Sequence, residues 1–183
     1  MTAARRWDIF CQVIDNHRDL GVCWRVARQL AAEGESVRLW VDDARALAWM
    51  APEGTGAVRL VAWGDAQSEA RALAEPAPEV LIEAFGCDPA PAVVAHFALA
   101  AHTGARHGWI NPEHLSAEPV VERLHGLPSL VASGPGAGLA KHFFYPGFTP
   151  ATGGLLREAD LPQRQARFDR AAWLAAHGIA WQP

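Results

Sequence analysis

The chain reads as an α/β protein built on a mainly parallel sheet. Apolar runs too short for helices alternate with helical periodicity through the first 110 residues. The clearest instance, Trp7 to Asp43, reads strand, acidic loop, helix, strand. Ile9 to Ile14 is an almost unbroken apolar run rich in β-branched residues, which suits a strand buried on both faces. Gly21 then opens a helical pattern with Val22, Val26, Ala27 and Leu30 on one side and Arg25 and Arg28 among the polar positions. Gly34 supplies a helix stop. Val37 to Val41 is a second buried strand, ended by Asp42 and Asp43.

Weaker elements follow in the same rhythm. Val58 to Ala62 and Val80 to Ala84 read as strands, Pro91 to Ala101 as a helix, and His107 to Ile110 as a short strand. Crossovers between parallel strands are right-handed. From Asn111 to Phe148 five prolines break the periodicity, and Gly134, Gly136 and Gly138 mark a flexible loop. One strand is expected there, at His142 to Tyr145. Irregular stretches of this length are often functional. A last helix, Arg170 to His177, starts after Asp169 as N-cap and ends at Gly178. No internal repeat or low-complexity tract is present.

The 183 residues suffice for a single domain, 1–183, with a real core. A net charge of -4 and a pI near 6.0 do not suggest a basic nucleic-acid surface, although a basic patch on one face would be invisible in the total. Cys11, Cys23 and Cys87 form no CxxC pair and are expected as reduced, packed thiols. The N-terminus has two arginines but no apolar signal core, and no run approaches a membrane span. A soluble, cytoplasmic protein is expected, with no membrane partner.

Several chemistries are disfavoured by their spacing. Asp42 stands about 20 residues after Gly21, where a ribose-binding acid would sit, but the first turn lacks G-x-G-x-x-G. Ser133 to Lys141 is not a phosphate loop, because Leu139 and Ala140 separate its last glycine from the lysine. The eight histidines show no zinc spacing, and no G-x-S-x-G occurs. What remains is the loop after the first strand, where Asp15 and Asp19 stand four residues apart. In open α/β sheets ligands bind outside the carboxyl ends of the strands. One reading makes one aspartate a helix cap and the other a solvated charge. The other makes them a pair that grips a cation, for which a guanidinium is the matching fork of donors.

The chain resembles the EarP-type protein-arginine rhamnosyltransferases. The blocks that carry the resemblance are WDIFCQVIDN (Trp7–Asn16), DLGVCWRVARQLA (Asp19–Ala31), VRLWVDD (Val37–Asp43), IEAFGCD (Ile82–Asp88), WINPEHLSAE (Trp109–Glu118), HGLPS (His125–Ser129) and FFYPGFTPATGGLLRE (Phe143–Glu158). They stand in the family's order and cover nearly the whole chain. The resemblance implies the Rossmann-like, acceptor-side N-terminal half of a GT-B glycosyltransferase. It implies inverting, metal-independent transfer of L-rhamnose from dTDP-β-L-rhamnose to an arginine of translation elongation factor P, without a cofactor. Asp19 is then the base or orienter and Asp15 its partner. Asn16, Gly21, Glu113 and Ser116 fall to substrate binding, Asn16 by shaping the loop and Gly21 by letting the helix approach the cleft.

Three features depart from the family pattern. Arg18 stands where the family has glycine, so a tethered guanidinium could mimic or block the acceptor. Pro112, His114, Pro119 and Val120 stand where leucine, tyrosine, aspartate and tryptophan are typical. The sequence stops at Pro183, before the donor-binding domain of the family would begin, so the donor-site residues are expected elsewhere. A non-catalytic module, or a degenerate fragment, that binds elongation factor P is the alternative reading.

Overall fold

A computed structural model describes residues 3–14, 17–103 and 106–180. Seven strands are described: β1 (Arg6–Cys11), β2 (Ser36–Val41), β3 (Arg59–Ala62), β4 (Val80–Glu83), β5 (Gly108–Pro112), β6 (Pro128–Leu130) and β7 (Ala140–Phe144). The helices are α1 (Arg18–Ala32), α2 (Leu47–Met50), α3 (Ala66–Leu73), α4 (Pro91–His102), α5 (Val120–Leu124), α6 (Leu161–Arg167) and α7 (Arg170–Ala176). The strands form one sheet in the order β3-β2-β1-β4-β5-β7-β6. Every pair is parallel except β6 with β7. The first five places repeat the Rossmann order, whose direction reverses beside β1. The α/β, Rossmann-like sheet expected from the sequence is the one observed.

The first strand begins and ends three residues earlier than the apolar run suggests. Pairing starts at Arg6 with Ser36, and Ile14 lies beyond the strand, 74% exposed. The run misleads because a charge is buried inside the strand. Asp8 takes two hydrogen bonds from Arg38 of β2, at 2.5 and 2.6 Å, and Arg38 also donates to the Ala72 carbonyl at 2.7 Å. Burial pushes the Asp8 carboxyl up from its ordinary pKa, against the pull of the guanidinium. The pair therefore joins β1, β2 and α3 under the apolar layer. Trp40 stacks on Phe10 beside it, with ring centroids 4.7 Å apart.

Two layers of helix cover the sheet. On one face Leu20, Cys23, Trp24 and Ala27 of α1 pack on Ile9, Cys11, Leu39, Val41 and Ile82. On the other, Val93, Phe97 and Ala101 of α4 and Ala72 of α3 pack on Phe10, Trp40, Leu81 and Trp109. The three cysteines are free and buried. Helix α1 starts at Arg18, before the expected Gly21, and closes as expected at Gly34, whose φ is +92°. Strand β5 runs on through Asn111 and Pro112. Helix α3 breaks no expectation but was not foreseen; Asp65 caps it by accepting from the Ser68 N–H at 2.7 Å. In the stretch expected to be irregular, α5 and β6 form, and β7 stands two residues before the predicted strand at its start. Helix α7 is capped by Asp169, as the sequence suggests. Among the described residues no helix is long and apolar enough to cross a membrane.

Helices α6 and α7 bury no residue. The segment leading to them is held to α1 by charge instead. Arg25 reaches both Glu158 oxygens, at 2.5 and 2.8 Å, and the Leu156 carbonyl at 3.1 Å. The bond from Arg25 drives the Glu158 carboxyl down to about 2 from an ordinary 4.5. A depressed carboxyl stabilises the folded state above its unfolded pKa and loses that contribution as pH falls towards the folded value. The Glu158→Gln variant is thus expected to be less stable than the wild type at pH 7, by under about 1 kcal/mol for so exposed an arginine. That gap closes as the pH drops from about 4.5 to about 2. Urea unfolding of both proteins across this range checks it; a gap independent of pH would contradict the pairing.

Candidate functional site

The carboxyl ends of β1, β4 and β5 meet at the reversal of strand order, and three side chains gather there. Asp19 comes from the first turn of α1, His114 from the segment after β5, and Phe85 from the 3-10 turn Ala84–Gly86 that follows β4. The loop feeding α1 is tied to the end of β2, where Asp42 accepts from the Val13 N–H at 2.9 Å. Asp42 thus does more than end its strand. Asp19 Oδ1 is shielded from solvent and has no hydrogen-bond partner among the described residues. Two side chains stand 3.8 Å from that oxygen, Arg18 through Nε and His114 through Nδ1. Both lie outside hydrogen-bond range. The His114 ring lies flat on Phe85, with centroids 4.3 Å apart and an 8° interplanar angle. Phe85 has φ +59°, and no other described non-glycine residue has a positive φ. Such a backbone costs about 1–3 kcal/mol and persists only where its surroundings fix it.

Beneath these groups lies a buried charge. Glu83, the last residue of β4, is 2% exposed. It accepts from Lys141 Nζ at 2.7 Å and from the Trp109 indole at 3.0 Å. The ammonium also sits over the Trp109 ring, 4.8 Å from its centroid. Burial pushes the Glu83 carboxyl upward, and the lysine opposes it. The glycine-rich loop, expected only to be flexible, closes this cluster. A Cβ on Gly136 would stand 2.7 Å from the Trp109 ring, so only glycine fits. Asn111 follows on β5, buried, with Oδ1 unpartnered among the described residues.

The candidates named from the sequence are distributed unevenly. Asp19 is at the junction. Asp15 and Asn16 lie outside the described residues. Gly21 sits inside α1, and an added Cβ there would make only an ordinary 3.8 Å contact with the tip of Met50, so close packing does not demand glycine. Glu113 follows β5 and is fixed through its backbone, donating to the Phe144 carbonyl at 2.8 Å. Ser116 is drawn away: its hydroxyl accepts from the Glu118 N–H at 3.0 Å, and it lines a small hollow with Val121, Glu122, Phe148 and Thr152. Sequence reasoning did not foresee Phe85, Glu83 or Lys141. One signal existed, since Lys141 is the single lysine among 16 basic residues. Among the described residues no cluster of three or more histidine, cysteine or acidic side chains could hold a metal ion.

Comparison with known proteins places the chain. The sequence profile of the family described as Elongation-Factor P (EF-P) rhamnosyltransferase EarP matches residues 7–182. The chain belongs to the EarP family. Relatives named protein-arginine rhamnosyltransferase include one from Pseudomonas aeruginosa, 45% identical over 94% of this chain and 46% of its own length. One from Pseudomonas putida is 46% identical over 91% of this chain and 43% of its own length. One from Neisseria meningitidis is 40% identical over 90% and 41%. The chain thus spans less than half the length of these curated relatives. Among solved structures, a glycotransferase of kitacinnamycin aligns over the whole chain and 43% of its own, at 17% identity and a TM-score of 0.40.

Removing one partner of a buried pair leaves the other charge unpaired, at a cost of about 3–5 kcal/mol. Lys141→Ala is expected to lower the unfolding free energy by about that amount, whereas Glu83→Gln with Lys141→Met recovers most of it. Urea denaturation of the two variants checks this; a loss under about 1 kcal/mol for Lys141→Ala would show that the cluster does not hold the edge.

Proposed function

We propose that this chain is the acceptor-side domain, residues 1–183, of an inverting, metal-independent arginine rhamnosyltransferase of GT-B architecture. In this reading L-rhamnose moves from dTDP-β-L-rhamnose to an arginine of translation elongation factor P, in the cytoplasm, and the donor is held by a second domain. The observation that carries the proposal is the solvent-shielded oxygen of Asp19, unpartnered among the described residues, at the carboxyl edge of the sheet in a member of the EarP family. A guanidinium has the donors that such an oxygen lacks.

The chemistry follows from the acceptor. Free guanidinium stays protonated near neutral pH, with a pKa above about 12. A carboxylate that binds one edge of it localises the charge and aims one nitrogen at the anomeric carbon. The nitrogen–carbon bond forms as the bond from that carbon to the dTDP oxygen breaks on the opposite face. dTDP leaves with the electron pair, and Asp19 takes the proton released by the nitrogen. The family pattern assigns Asp15 to the acceptor grip with Asp19, and Asn16 to substrate binding, as it does Glu113, whose backbone is fixed beside the β5 end. Ser116 and Gly21 serve substrate binding less directly.

Arg18 supports a second reading. Its Nε is 3.8 Å from the same Asp19 oxygen, so the chain's own guanidinium borders the acceptor's place. A module that binds elongation factor P without transfer would have this feature. The gene product as its genome encodes it, incubated with dTDP-rhamnose and the factor, separates the two. Intact-mass analysis is expected to show one rhamnose on an arginine. Asp19→Asn should lower kcat at least about a hundredfold, far more than it lowers affinity for the factor. Binding without mass gain would favour the module; neither binding nor transfer would overturn both.

A further inference from the structure

The proposed reaction gives Asp19 a task that requires its carboxylate to be aimed, yet nothing on α1 aims it. The helix has no side-chain cap bond at its start, and Asp19 Oδ1 takes no hydrogen bond from any described residue. The group placed to orient it comes from elsewhere in the fold. His114 follows β5, so its position is set by a strand two places from β1 in the sheet. Its ring plane is set by the flat stack on Phe85, and Nδ1 is the ring nitrogen that stands 3.8 Å from Asp19 Oδ1. Phe85 is in turn held in a left-handed backbone that its residue type avoids. An exposed histidine with no task would not need so costly a platform.

We infer that His114 is a positioning residue: it donates from Nδ1 to one lone pair of Asp19 Oδ1 and so holds the carboxylate with its remaining lone pairs towards the acceptor guanidinium. The present 3.8 Å separation needs to close by about 1 Å to become such a bond. Arg18 borders the same oxygen at the same distance, so a fixed donor there competes with it. The donation sets which imidazole nitrogen carries the proton, because a histidine's tautomer follows the hydrogen bond its ring makes. The inference rests on the arginine-transfer reading for its consequence, but the contact itself can be read without turnover.

Two measurements test it. The first uses this chain alone, with imidazole nitrogens labelled, near pH 8, where an ordinary histidine is neutral. NMR is expected to show the Nδ1–H tautomer at His114, reverting to Nε2–H in Asp19→Ala. An Nε2–H tautomer in the wild type, or no response to Asp19→Ala, overturns the inference whether or not the protein transfers rhamnose. The second follows transfer by the encoded gene product. His114→Phe keeps a ring on Phe85 but removes the donor, and is expected to lower kcat about tenfold with KM for the factor unchanged. His114→Asn, whose amide can donate from nearly the place of Nδ1, is expected to restore most of the rate. In an Asp19→Asn background His114→Phe should add nothing, since the two act as a unit. Equal losses for His114→Phe and His114→Asn, or an additive loss, overturn it. Absence of transfer by the wild type, with the tautomer result intact, would overturn the arginine-transfer reading and leave the contact standing.

Discussion

A carboxylate taken out of water at the end of β4 governs where the functional edge of this sheet can stand. Glu83 is stable there only because Lys141 and the Trp109 indole reach it from β7 and β5. An unpaired buried charge would cost several kcal/mol, so the three strand ends keep one arrangement. Gly136 closes over the indole and leaves it no room to swing. Phe85 lies two residues beyond Glu83, and His114 two residues beyond the end of β5. The stack between them therefore inherits its geometry from the buried pair. At the middle of the sheet the Asp8–Arg38 pair does similar work, binding β1 to β2 and α3.

From that edge the chemistry follows by satisfaction of polar groups. A solvent-shielded acceptor without a donor costs about 1–3 kcal/mol. Among the described residues Asp19 carries such an oxygen, at the place where open α/β sheets take their ligands. A ligand rich in donors relieves that cost, and a guanidinium is the side chain with most of them. Membership of the EarP family gives the donor-rich ligand a name, an arginine of elongation factor P, within the proposed function.

Much of the fold was legible because its signals are local. The apolar runs at Ile9 and Val37, the glycine stop at Gly34 and the cap at Asp169 each depend on a few neighbouring residues. The edges of β1 were misread because Asp8 and Arg6 look like solvent-facing residues until Arg38 and Ser36 are placed beside them. Helix α5 and strand β6 were hidden among prolines, which break periodicity but not packing. At the site, the acidic loop and its family blocks pointed to Asp19. The Phe85–His114 stack and the Glu83–Lys141 pair join residues 29 and 58 positions apart, and no spacing rule reads contacts at that range.

Asp19, at the carboxyl edge of β1, β4 and β5, is the proposed seat for an arginine side chain of elongation factor P. A crystal structure of the chain bound to that factor tests it most directly. One arginine guanidinium is expected within about 3 Å of the Asp19 carboxylate, with Arg18 turned aside and the His114 ring still flat on Phe85. An arginine docked at another edge of the sheet, or Arg18 itself seated on Asp19 in the complex, would contradict it.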